Sequence, residues 1–305
     1  MLKLDVSLDA SLINFVENHK KQPTELEWFE YCKANEIPYL ANQSLFDEEK
    51  KLGSYEIESL SRTVKYLEVH LEDSVKHIAQ FFPDTPKDID HHLKIGLLPY
   101  GKKNFGPKSS LQLFSLFPEA TPVETYLFLI HIYYHEISFI NYTDFCKECS
   151  VSPDTPEKLK HFIINLIQNE GIGNFAVLES LIEYREQNSS YDFKYFSYAS
   201  MIRDEVSIVQ SMSLLRQILD TVNESNYANY QGKINLILKN KRLPIINLVG
   251  THMAESIVAT HGLDALRNVY KRSPKEFFNL YFDTKDPLKE HLSKGEYFLN
   301  STFSK

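Results

Sequence analysis

The chain has 305 residues, 43% hydrophobic and 24% charged, with a formal net charge of −8. That is ample material for a core, and the acidic balance excludes a whole-chain nucleic-acid binder, which needs a basic face against phosphate. The opening MLKLDVSLDASLINFVE lacks the basic and apolar regions of a signal peptide, and no long unbroken apolar run follows, so a cytoplasmic protein without membrane spans is expected. Three cysteines make a disulfide framework improbable. Cys146 and Cys149 form a CxxC, but neither the βαβ setting of a redox pair nor a full set of zinc thiolates accompanies it, even counting Cys32.

The first segments read as amphipathic helices, Ser7 to Lys20 and Thr24 to Asn35, the second opening with the capping-box pattern Thr-Glu-Leu-Glu. A longer helix is expected from about Tyr55 to Phe82, ended by Pro83. The texture then changes. His92–Pro99 and Ser110–Phe117 are short and apolar, with Gly101, Asn104, Gly106 and Pro107 between them, and read as a β-hairpin or two neighbouring strands. The tandem His91–His92 would point to opposite strand faces and make a poor chelate.

Thr121-Pro122-Val123-Glu124 combines a cap, a proline suited to the first helical position and a glutamate able to bond back to the cap. It predicts a helix from Pro122 to about Asn141, apolar nearly all round and therefore buried on most faces. Asp154-Thr155-Pro156 opens another helix, running on to about Tyr184, in which Gly171 and Gly173 either admit a neighbouring backbone or mark a break. Further helices are expected over about Ser200–Glu224, Asn226–Lys239 and Ile245–Thr260. A last one follows the capping pattern that begins at Ser273.

The buried helix carries His131-Ile-Tyr-Tyr-His135-Glu136. Histidines at i and i+4 share one helical face, which suits two ligands of one tetrahedral metal and equally suits two hydrogen-bonded core histidines. On the next helix Glu170 stands between the apolar runs FIINLI and FAVL. A glutamate there is either a surface residue at a helix end or the third member of a His₂Glu zinc set. Tyr133 and Tyr134 flank the histidines and could offer a phenol, but helical geometry turns at least one away, and packing is the expected job of both.

From about His91 to Tyr281 the sequence resembles the bacterial zinc-dependent peptidases of the glutamate-zincin type, related in plan to thermolysin. The segments that carry the likeness are SLQLFSLF, HIYYHEI, NEGIGNF, VGTHMAESI and SPKEFFNLY, in that order. The resemblance implies an α+β, predominantly α-helical fold. A helical N-terminal region (1–90) would precede a zincin-like core (91–305), with a small sheet packed on the metal-site helices. It also implies zinc as cofactor, His131, His135 and Glu170 as its ligands, and a peptide or protein substrate.

The likeness breaks at one position. Ile132 follows the first histidine where the family has its catalytic glutamate, and a hydrocarbon cannot take a proton from the attacking water. The alternative register, His135-Glu136-Ile-Ser-Phe139, restores the glutamate but replaces the second ligand with Phe139. The first register keeps both ligands and is preferred. Glu136 then lies about one turn beyond Ile132, about 6 Å along the axis, as a displaced candidate base. His252, near a glycine in VGTHMAES, is the candidate oxyanion or substrate-contacting group. The expected function is a zinc metallopeptidase-like hydrolase weakened by Ile132; the alternative is a degenerate zincin-fold protein that binds or regulates.

Overall fold

The structure is a computed structural model and describes residues 2–8, 13–14, 17–18, 24–34, 52–82, 89–99, 111–141, 154–231, 233–238, 240, 242–269 and 274–300. The elements in chain order are β1 (Leu2–Leu8), α1 (Glu25–Ala34), α2 (Ser54–Ala79), β2 (Ile89–Pro99), β3 (Leu111–Leu116), α3 (Pro122–Asn141), α4 (Pro156–Phe175) and α5 (Leu178–Gln187). They continue as α6 (Glu205–Thr221), α7 (Tyr227–Gln231), α8 (Ile234–Leu238), α9 (Ile245–His261), α10 (Leu263–Val269) and α11 (Pro274–Phe282). A 3₁₀ turn (Pro287–Lys289), α12 (Glu290–Ser293) and α13 (Glu296–Asn300) follow. No described helix is long and apolar enough to cross a membrane.

The chain divides into two compact units. The first holds residues 1–79, 84–130 and 193–195; the second holds residues 80–83, 131–192 and 196–305. In the first unit, extended backbone at β1, β2 and β3 pairs in that order, both pairs parallel. The side chains of these strands lie outside the described residues. Of the two readings of these segments, a β-hairpin or two neighbouring strands, the backbone gives neighbouring strands, because β2 and β3 pair in the same direction.

The residues described down to their side chains are 75% helical and include no strand. This corrects the α+β expectation of a zincin-like core with a small sheet packed on the metal-site helices; only its predominantly helical character holds. The physical reason lies in the second unit, where α4 is covered by α9 along its length. A Cβ on Gly171 would fall 2.4 Å from the carbonyl carbon and oxygen of Gly250, and one on Gly250 would fall 2.2 Å from the Ile167 carbonyl oxygen. Two glycines thus let backbone meet backbone, and a helix takes the place expected for a sheet. Ile163, Ile164, Ile167 and Ile172 of α4 are fully buried with Leu248, Val249, Met253 and Ile257 of α9. Each such side chain contributes roughly 1.5–3 kcal/mol of burial.

Local signals acted much as their chemistry requires. Thr24 and Glu27 form a reciprocal capping box, Glu27 Oε2 accepting from the Thr24 amide at 2.8 Å and Thr24 Oγ1 from the Glu27 amide at 3.3 Å. Thr155 caps α4 by accepting from the Lys158 amide at 3.2 Å. At α3, Thr121 Oγ1 accepts from the Glu124 amide at 3.2 Å, while Glu124 Oε1 accepts from the Tyr195 amide at 2.6 Å. That carboxylate, fully buried, is recruited to join the chain near residue 195 to the start of α3. The long helix expected from Asp154 breaks at Ala176–Val177, and the stretch after Asn226 splits into α7 and α8. The calls at Cys146, Cys149 and Ser273 lie outside the described residues.

Candidate metal centre

The second half of α3 and the end of α4 meet in the second unit. Phe82 stacks on the fully buried Tyr134, ring centroids 5.4 Å apart, and Tyr133 is also buried. With the tyrosines packed inward, helical spacing turns His131 and His135 together onto the adjoining face. Their Nε2 atoms are 3.0 Å apart, at which distance one imidazole donates and the other accepts. Glu170 Oε2 lies 3.6 Å from His131 Nε2 and 3.7 Å from His135 Nε2. These are the only His, Cys, Asp or Glu side chains among the described residues that form such a group of three.

The size of this triangle can be set against what zinc requires. Sides of 3.0, 3.6 and 3.7 Å define a circle of radius about 2.0 Å. A point about 0.6 Å off that plane is therefore about 2.1 Å from all three atoms, within the Zn–N and Zn–O range, and leaves the fourth tetrahedral direction open. Two neutral imidazoles and a carboxylate are also a borderline donor set that zinc accepts. The residues present fit the ion in size and chemistry.

Gly173 completes the cradle. A Cβ at that position would lie 3.1 Å from Tyr134 Cδ1 and 3.2 Å from both His131 Nδ1 and His135 Nε2. Only a residue without a side chain lets α4 come this near to the histidine pair. The side chains are 8% (His131), 15% (Glu170) and 20% (His135) exposed, so the cluster is recessed but opens on the His135 side.

Beyond the three groups, Phe196 sets its ring edge-on to His131 at 6.3 Å. Two residues on, the Tyr198 hydroxyl donates to Asn174 Oδ1, one helical turn past Glu170. Burial drives the Tyr198 phenol well above its usual range; the nearby Glu170 charge reinforces the shift and a hydrogen bond with Asn247 opposes it. The hydroxyl therefore stays protonated as a donor. Nothing in the local sequence around Tyr198 signals this role, whereas the i, i+4 relation of Asn174 to Glu170 was open to inspection.

The other sequence candidates fall elsewhere. Ile132 is partly buried on α3. Glu136 is in the same helix, but its side chain lies outside the described residues. His252 is not among the converging three. Its Nε2 is 2.5 Å from Asp286 Oδ2, and its ring stands edge-on to Tyr281 at 6.2 Å. The same carboxylate oxygen accepts from Tyr281 Oη at 2.9 Å and Ser256 Oγ at 3.2 Å, and Asp286 Oδ1 accepts from the Leu288 amide at 3.0 Å. Two residues after Gly250, the contact point with α4, His252 is rotated by roughly 200° about the axis of α9.

Residues 153–284 match the family model described as "Putative zinc dependent peptidase (DUF5700)". The match covers under half of the chain; it includes Glu170, Gly171, Gly173 and His252 and begins after His131 and His135. No curated protein and no solved structure matches the chain. The matched family points to zinc-dependent peptidases as the class to which this chain is similar.

Proposed function

We propose that the protein is a zinc-dependent metallopeptidase-like hydrolase whose ion is held by His131, His135 and Glu170. The observation that carries the reading is the triangle of ligand atoms, sized for one tetrahedral ion. The family description for residues 153–284 supports zinc and peptides as the relevant chemistry. Zinc, when bound, supplies a Lewis acid that polarises a scissile carbonyl and acidifies water.

The chain's own part in hydrolysis is incomplete. A proton acceptor is needed within hydrogen-bond reach of the attacking water, and such assistance typically contributes about 10² to 10⁴ in rate. Ile132 provides no lone pair, and Glu136 is one turn farther along α3. Hydrolysis of unselected peptides by the wild type is therefore feeble. Ile132 also favours a second reading, in which a zinc-bearing or metal-free relative of the peptidases binds or regulates a peptide or protein without cleaving it.

The test has two parts. Purified protein supplied with zinc should hold one ion per chain, and His131→Ala should lose it; absence of stoichiometric zinc in the wild type would sink the metal reading. Peptide turnover should be weak in the wild type and rise measurably in Ile132→Glu. A zinc-loaded Ile132→Glu protein that stays inactive would decide for the binding role, and strong wild-type turnover surviving Glu136→Gln would show the base to be elsewhere.

A further inference from the structure

The side chain of Asn174 is 1% exposed, and its Nδ2 is buried with no hydrogen-bond acceptor among the described residues. A buried amide with two unmatched N–H groups is costly to leave so. Its oxygen is already taken, because the Tyr198 hydroxyl donates to Oδ1. That bond decides which way the amide faces. With the oxygen turned to Tyr198, the NH₂ group must point to the other side. Asn174 lies four residues after Glu170 on α4, so their side chains stand on one face, about 5–6 Å apart at Cβ. Between them Gly173 opens the space occupied by the histidine pair. A carboxylate offers about four lone-pair sites, so one oxygen turned to a cation leaves capacity to accept from a further donor.

We propose that Tyr198 and Asn174 are positioning residues for the third ligand: Tyr198 fixes the Asn174 amide, and Asn174 donates from Nδ2 to the Glu170 carboxylate when Oε2 is on the ion. The inference rests on the zinc reading above. Neither residue touches the ion or substrate. The design resembles other metal sites only in its general logic, in which a hydrogen bond behind a ligand sets its direction and basicity. Tyr198 can do this without moving, since its ring is buried beside Phe196 and its hydroxyl remains a donor.

The experiment uses the full chain and zinc itself as probe. Zinc affinity is measured by competition with a chromogenic chelator, and cobalt is substituted so that its visible absorption reports the geometry. Tyr198→Phe keeps the ring and removes only the donor; Asn174→Leu keeps the volume and removes the relay. Each is expected to weaken zinc binding about 10- to 100-fold and to change the cobalt band. Because Tyr198 acts through Asn174, the double variant should bind no more weakly than Asn174→Leu alone. Single variants that bind zinc within twofold of the wild type overturn the proposal. So do losses that add in the double variant, since loosened packing would give that result. A wild type that takes up no zinc overturns both this inference and the reading beneath it, whereas tight wild-type binding with unaffected variants overturns the positioning role alone.

Discussion

Two clusters in the second unit are built from the same kinds of side chain and behave differently. Around Asp286, every contact is a donor meeting an acceptor: His252, Tyr281 and Ser256 converge on one carboxylate oxygen, and the Leu288 amide occupies the other. The charge is answered within the protein. At His131, His135 and Glu170, two imidazole nitrogens and a carboxylate oxygen lie at nearly equal separations around a common point. One imidazole donates to the other at that distance, yet all three are groups that coordinate a cation once the shared proton leaves. The comparison teaches that histidine beside a carboxylate says little by itself. What separates a structural knot from a candidate metal centre is whether the groups are spent on one charge or converge at a spacing that fits an ion.

Variants that act on one cluster alone break or sharpen this contrast. The largest effect is expected where the helix carrying Glu170 is seated. Gly171→Ala puts a methyl group 2.4 Å from the Gly250 backbone, which cannot yield as a flexible side chain can, so α4 and α9 must part. A loss of about 3 kcal/mol or more is expected from urea unfolding. Gly173→Ala meets ring atoms at 3.1–3.2 Å and is milder, about 1–2 kcal/mol. Its distinguishing mark is zinc affinity, which should fall more than its stability does. Equal zinc binding by Gly173→Ala and the wild type would show that the histidines are not cradled there.

Next comes Asp286→Asn, which removes the charge answered by His252 and Tyr281. Hydrogen bonds to a charged group contribute about 1.5–3 kcal/mol. A stability loss of that size is expected in chemical denaturation, with zinc affinity unchanged. A variant that lost zinc instead would join the two clusters into one functional unit and undo the distinction.

The remaining effect is on pH dependence. Burial works to raise the Asp286 pKa, but the His252, Leu288 and Tyr281 hydrogen bonds outweigh it and hold the carboxyl at about 2, below its ordinary 3.8. A folded-state pKa below the unfolded one stabilises above the unfolded value and is lost as pH falls through the folded one. Asp286 should therefore contribute about 2 kcal/mol above pH 4 that fades between about pH 4 and pH 2. Urea midpoints measured across that range should drop more steeply in the wild type than in Asp286→Asn, and parallel curves would contradict the assignment.

Much of the helical framework was legible because its signals are local. Thr121 with Pro122, and Thr155 with Pro156, mark helix starts through bonds that span three residues. The i, i+4 histidines marked one helical face, and Gly171 and Gly173 were open to reading as places that admit a neighbouring backbone or mark a break. The parallel direction of β2 and β3 was not legible, because strand pairing is a long-range choice that short apolar runs do not encode. Glu124 likewise obeyed the capping pattern at its amide while its carboxylate went to the Tyr195 amide, a partner 71 residues away. Tyr198 and Asp286 escaped notice for the same reason: their value lies in partners that only the fold supplies.

The Gly171–Gly250 contact also has a kinetic side. His131 and His135 are brought together by a single turn of helix, which forms in well under a millisecond once α3 nucleates. The seat of Glu170 instead depends on closing a loop of nearly eighty residues before α9 can lie against α4. Such closures carry an entropic cost that is met only by contacts made late. During refolding, the two-histidine half of the cluster should thus exist before Glu170 is fixed. On the zinc reading proposed above, an ion offered to the refolding chain would be captured tightly only after α9 docks, so the appearance of high-affinity uptake would become a clock for the last helix–helix step.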